Sequence, residues 1–256
     1  MNLDHVLVTR DADFVTITMN RPQRRNALSL AHLRDLIDAF SGAGDSDASG
    51  IILAGAGPVF SAGHDFADVA EADESAVRTL LDTCLQLMEL IETVPQPVIA
   101  RVHGLATAAG CQLVATCDLA VAADSAGFAA PGGKGGWFCH TPMVAIARNI
   151  GRKRAAELAY TGDTITAAQA LDWGLVNQVV PTAGLDAAVA DLLGRATRGS
   201  RASKALGKRT LYQQLSLPEA DAYELATRVM AESSQSAAAR EGMSAFLSKR
   251  QPKWSD

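Results

Sequence analysis

Apolar residues recur along the first half of the chain in short blocks, separated by breaks rich in glycine and proline. Two β-branched runs at 6–8 and 14–19 flank Asp11-Ala12-Asp13 and predict a hairpin. Ser29 stands where an N-cap belongs, followed by Leu33, Leu36, Ile37 and Phe40 at helical spacing. A compact apolar strand at 50–54 ends in Gly55-Ala56-Gly57-Pro58. The stretch 75–94 is amphipathic at the helical period, with Leu80, Leu81, Cys84, Leu87, Met88 and Ile91 as its buried stripe. Further strands are expected at 98–102 and 119–123. Buried strands alternating with helices predict an α/β core with right-handed crossovers.

Beyond Pro142 the pattern turns helical, at 155–160, 167–172 and through the long C-terminal stretches. A short strand at 176–180 interrupts it, and Pro181-Thr182-Ala183-Gly184 is the clearest break. The organisation read from this is an α/β core over 1–195 and a helical C-terminal region over 196–256.

With 256 residues, 48% of them apolar, the chain can bury a sizeable core. Its net charge of −5 argues against nucleic acid as a partner but leaves room for a local basic site that takes a phosphorylated ligand. Cys84, Cys111, Cys117 and Cys139 lack the C-x-x-C spacing of a zinc or redox motif, so no metal and a reducing compartment are expected. The first ten residues lack the apolar core of a signal peptide, and no stretch is long and apolar enough to span a membrane. A cytoplasmic protein without a membrane partner is the expectation.

Candidate chemistry concentrates in two small-residue turns. One is Phe60-Ser61-Ala62-Gly63-His64-Asp65-Phe66; the other lies in 104–118, where an apolar strand meets a run of small residues opening a helix. Small side chains let a ligand approach the backbone, and a helix N-terminus adds a favourable dipole. One N–H from 62–65 and another from Ala109-Gly110, brought together, would form an oxyanion hole. Strand–helix joints packed for steric reasons alone would show the same pattern.

Further landmarks are Asn20-Arg21-Pro22 with Arg25-Asn26-Ala27-Leu28, Pro97-Val98-Ile99-Ala100, Tyr160-Thr161-Gly162, Gly174-Leu175-Val176 and 240–246. Through these motifs, in order over nearly its full length, the chain resembles the crotonase (enoyl-CoA hydratase/isomerase) superfamily. The resemblance implies a spiral of strand–strand–helix repeats with a helical trimerisation region, and a homotrimer or dimer of trimers. It implies an acyl-CoA ligand, with coenzyme A part of the substrate and no other cofactor, and a place in fatty acid metabolism. The thioester carbonyl would sit between the N–H groups of Ala62 and Ala109, with Gly63, His64 and Asp65 alongside. Arg25, Ala27 and Leu28 would lie near the CoA phosphates and adenine. Phe246 and Lys249 would approach the nucleotide, from a neighbouring subunit if the trimer forms.

The hydratase pattern fails at two positions. Hydratases of this family flank one water with two carboxylates. Here the first position is Gln112, and the second, after Phe128-Ala129-Ala130-Pro131, is Gly132. An amide orients water but does not take its proton near neutral pH. The runs 107–115, 128–131, Phe138-Cys139 and Thr141-Pro142 resemble the subgroup of enoyl-CoA hydratase domain-containing protein 3, which also lacks both glutamates. His140 is the first candidate to act as base in their stead, if it faces the pocket; His64 and Cys139 follow. Trp137 would line the acyl pocket, Gly132 to Gly136 would form a lid, and Asp65 and Asp118 are read as capping residues. The resulting expectation is an acyl-CoA lyase or isomerase with non-standard acid–base groups. A slow hydratase using Gln112-oriented water and a non-catalytic acyl-CoA binder are the alternatives. Restoring both carboxylates, Gln112→Glu with Gly132→Glu, is expected to bring measurable hydration.

Overall fold

The computed structural model describes residues 3–254. The chain opens with strands β1 (Val6–Asp11) and β2 (Phe14–Met19), an antiparallel hairpin closed where Ala12 takes φ +48°. Helix α1 (Leu30–Gly44) follows, and the Ser29 side chain accepts from the His32 N–H as its N-cap. Next come β3 (Gly50–Gly55), β4 (Val59–Ser61) and α2 (Glu74–Thr93). The same unit recurs as β5 (Val98–Val102), β6 (Leu105–Thr107) and α3 (Ala109–Thr116), and again as β7 (Leu119–Ala123), β8 (Gly127–Ala129) and α4 (His140–Ile150). The core closes with α5 (Arg152–Thr161), β9 (Ile165–Thr166), α6 (Ala167–Trp173), β10 (Gln178–Val180) and α7 (Leu185–Ala196). Three helices end the chain: α8 (Arg201–Gln214), α9 (Glu219–Ser233) and α10 (Ala237–Leu247).

In each repeat the first strand joins one sheet and the second strand another. The large sheet runs β1-β2-β3-β5-β7-β10 and the small one β4-β6-β8-β9. From β2 to β10 the large sheet is parallel, with Ile51 beside Val98 and Ile99 beside Leu119. Its central strands β3, β5 and β7 are buried on both faces, which explains their unbroken apolar runs. The main core holds Leu33, Leu36 and Phe40 of α1 and Leu80, Cys84 and Leu87 of α2. Against Ile99, Val121 and Ala123 pack Leu185, Val189 and Leu193 of α7, forming a second, smaller core.

The boundaries of several expected elements shift. The helix expected at 75–94 starts one residue earlier because the Asp73 side chain caps it through the Ala76 N–H. The strand expected from 176 begins at Gln178: the Leu175 N–H still donates back to the Ala170 carbonyl of α6, and the Asn177 N–H donates to the Ala120 carbonyl of β7 just ahead of the strand. The small-sheet strands β4, β6 and β8 have three residues each, too few to show an alternation. Among the described residues no helix is long and apolar enough to cross a membrane.

Candidate active site

The site forms where the turn after β4 meets the N-terminus of α3. Gly63 takes φ +84°, and a Cβ there would lie 3.1 Å from the Ala109 nitrogen and 2.9 Å from the Ala108 Cβ. The two backbones therefore pass in contact, and only glycine fits between them. Ala108 itself takes φ 49° and ψ −119°, a conformation a Cβ disfavours, and its N–H donates to the Ala129 carbonyl at 2.9 Å. That strain aims the start of α3 at the turn.

The hydrogen bonds of the 62–65 turn settle which amide is available. The Ala62 N–H already donates to the Arg25 carbonyl at 3.0 Å, and the Asp65 N–H to the Leu28 carbonyl at 3.1 Å. The Gly63 N–H leans on the Ser61 hydroxyl at 3.3 Å. Among the described residues only the His64 N–H of this turn has no acceptor, and the Ala109 N–H likewise has none. The Ala62 N–H, expected as a donor to ligand, is thus engaged within the chain, and the free N–H of this turn is that of His64. The physical reason is the neighbouring turn at Arg25 and Asn26, both at positive φ, which turns the Arg25 carbonyl onto Ala62.

Asn26 holds that neighbouring turn. It is fully buried, its side-chain amide donates to the carbonyls of Ala56, Val59 and Phe60 at 2.9–3.0 Å, and its oxygen accepts the Arg21 N–H. Its site role was not read from the sequence. The signal was available: asparagine is among the few residues that tolerate φ near +50° and also offer three hydrogen bonds.

Beneath the two turns opens a cavity of about 500 Å³. His64, Leu81, Gly132, Trp137, Cys139 and His140 are in its wall, with Ala62 and Ala108 at the turns. Leu81 therefore leaves the α2 core stripe and serves the cavity. His140, the first residue of α4, is exposed and contributes to the cavity wall, its ring 5.0 Å from that of Phe138. Both ring nitrogens of His64 are buried without a hydrogen-bond partner. Burial pushes the His64 pKa below its ordinary value, which the Leu28 backbone offsets only in part, so the imidazole is neutral at pH 7.

No Asp or Glu stands in the cavity wall among the described residues. Gln112 is buried on α3, and its Oε1 has no partner. A Cβ on Gly132 would fall 2.2 Å from the Trp137 carbonyl and 2.7 Å from Cys139 Sγ. The loop closes on that point through the Trp137 N–H to the Gly132 carbonyl (2.9 Å) and the Gly132 N–H to Cys139 Sγ (3.3 Å). Folded this way, the chain has no room for a side chain at 132. That removes the basis for expecting Gly132→Glu to restore hydration.

Other expected binding residues are placed as follows. Arg25 is exposed, with no partner for its guanidinium among the described residues. Leu28 is fully buried and both its backbone groups are engaged, so its side chain cannot touch a ligand; it positions the turn instead. The Ala27 carbonyl accepts from Arg21 and His32. Asp65 is outside the cavity wall. It caps the next short turn through the Ala67 N–H and pairs with Arg24 at 2.9 Å and Arg21 at 3.3 Å. Burial pushes its carboxyl up, but the Ala67 N–H and the two guanidinium groups outweigh that and hold it low. Phe246, on α10, and Lys249, just beyond it, do not reach this chain's cavity wall. All four cysteines are buried and free. Among the described residues no cluster of His, Cys, Asp and Glu could hold a metal ion.

Two unpartnered amides beside an apolar cavity can hold an oxygen atom that is gaining negative charge. The chain is similar to known proteins in sequence and fold. The rat enoyl-CoA hydratase domain-containing protein 3, named as mitochondrial, is 44% identical over 250 residues, covering 96% of this chain and 83% of its own. The crystal structure of an enoyl-CoA hydratase from Mycobacterium smegmatis superposes with a TM-score of 0.95 at 44% identity, covering 98% of this chain and 99% of that one. That of human enoyl-CoA hydratase domain-containing protein 3 does so at 0.94 and 41%, covering 98% and 100%. The family model for enoyl-CoA hydratase/isomerase matches residues 9–256. The chain belongs to the enoyl-CoA hydratase/isomerase family.

Proposed function

We propose that the protein processes an acyl-CoA, gripping the thioester oxygen between the N–H groups of His64 and Ala109. The observation that carries this reading is that these two amides, and no others in the meeting turns at 62–65 and 108–109, lack an acceptor. The oxygen gains charge as the thioester becomes an enolate or a tetrahedral adduct, and each preset donor lowers the barrier by about 3 kcal/mol.

Without carboxylates at 112 and 132, the proton moves through His140. Its imidazole stands in the cavity wall, where it can take a proton and return it. Gln112 supports as an amide that orients and does not ionise. Isomerisation, decarboxylation and thioester hydrolysis share this charge pattern, whereas efficient hydration needs the missing pair. Arg25 meets the CoA phosphates. Phe246 and Lys249 reach the nucleotide from a second copy of the chain, in a homotrimer or a dimer of trimers. The four free cysteines suit a reducing compartment such as the cytoplasm.

Infrared spectroscopy tests the grip directly. With a 13C-labelled thioester carbonyl in butyryl-CoA, the stretch is expected to move to lower frequency on binding, and an unshifted band would refute it. His140→Ala should lower turnover of the accepted thioester by about 10²- to 10⁴-fold while acyl-CoA affinity persists. Turnover unchanged by that substitution would remove His140 from the chemistry.

A further inference from the structure

Aromatic residues make up 5% of the chain, yet Phe66, Trp137 and Phe138 stand in one cavity wall with two of the five histidines, His64 and His140. We infer that the acyl group taken by this cavity carries an aromatic ring, an inference that rests on the acyl-thioester reading above.

The rings form two groups. Trp137 stands 6.2 Å from His64, tilted by 46°, and 6.2 Å from Phe66, tilted by 60°. Phe138 stands 5.0 Å from His140, tilted by 52°. All three pairs are tilted rather than stacked flat, so each leaves ring surface uncovered by its neighbour. Phe66 is 66% exposed and Trp137 37%. So much bare aromatic surface around one cavity marks a binding surface rather than a packed core. A saturated chain entering there gains burial alone. A planar ring gains burial together with offset and edge-on contacts to those surfaces.

The wall suits such a ring in charge as well as shape. Among the described residues its one permanently charged side chain is Lys134, which is paired with Asp163 at 2.8 Å. No carboxylate in the wall among the described residues opposes the electron-rich face of an arene. The closed loop at Gly132 keeps that face apolar, because no longer side chain fits there.

The test compares acyl groups of equal ring size on the full-length protein. Isothermal titration with benzoyl-CoA, cyclohexanecarbonyl-CoA and butyryl-CoA is expected to show benzoyl-CoA about tenfold tighter than its saturated counterpart. Trp137→Leu, and separately Phe66→Leu at a more exposed position, should cut that ratio to about threefold or less. Equal or tighter binding of cyclohexanecarbonyl-CoA overturns the inference, and so does a ratio that survives both substitutions. If butyryl-CoA binds but no aromatic advantage appears, this inference falls alone. If no thioester binds at about 1 mM, the acyl-thioester reading falls and takes this one with it.

Discussion

His32, away from the cavity wall, shows how burial makes a single residue pH-sensitive. It lies in the first turn of α1, fully buried, with Nδ1 against the Ala27 carbonyl at 3.1 Å and Nε2 without a partner. Burial pushes its pKa down to about 4, with the charges of Arg21 and His5 adding to that and the Ala27 carbonyl opposing it. Between the ordinary value of 6.5 and about 4, the unfolded chain holds a proton here that the folded chain does not. Stability therefore rises with pH across that window and falls as pH drops through it, by something on the order of 3 kcal/mol from this residue. Denaturant midpoints at pH 7.5 and 5 should differ clearly in the native protein and by much less in His32→Leu. An equal difference in both would assign the acid sensitivity elsewhere. None of this was legible in the sequence, where His32 is one polar letter in a helical pattern. That the Ala62 N–H is engaged and the His64 N–H free was hidden for a related reason. A motif marks the turn, but which amide stays free depends on the carbonyl of Arg25, 37 residues upstream.

At the level of elements, the long periodic ones were readable because a face of each must enter the core. The stripe on α2 and the capped start of α1 appear as expected. Leu81 is the informative exception, an apolar residue that pattern alone assigns to the core and that the fold gives to the cavity. The attachment of α8 was not readable. Asp118 was read as a capping residue, and Asp118 Oδ2 does accept the Val98 N–H at 2.7 Å. It also meets Lys208 Nζ at 2.7 Å, while Tyr212 donates to Oδ1 at 2.8 Å. Lys208 donates further to the carbonyls of Ile91 and Gln96. The ammonium and carboxylate are only 8% and 16% exposed, so each needs the other. Lys208→Met strands the Asp118 carboxylate and should cost about 3–5 kcal/mol. Tyr212→Phe removes one neutral donor and should cost about 1–2 kcal/mol. Thermal unfolding ranks the two, and hydrogen exchange should show α8 losing protection first. If Lys208→Met proves harmless, the docking of α8 rests on its apolar contacts instead.

For the whole molecule, the C-terminal helices leave a question that a single chain does not answer. Helices α8 and α9 contain no buried residue, and α10 buries only Ala245. Leu211, Leu215, Tyr223, Met230, Phe246 and Leu247 are each more than half exposed. A surface of that extent marks an interaction face rather than scattered apolar residues. In the trimer proposed above, a second copy of the chain would cover this face and bring Phe246 and Lys249, which lie away from their own cavity, to the site. Light scattering at micromolar concentration is expected to give a mass three or six times that of the chain. Met230→Glu combined with Phe246→Glu places two charges on the apolar face and should yield monomers that keep the native circular dichroism of the core. If the nucleotide is held across subunits, those monomers should bind free coenzyme A more weakly, and dilution of the native protein should weaken binding in parallel with dissociation. A native protein that stays monomeric would leave the apolar face unexplained and return Phe246 and Lys249 to the role of surface residues.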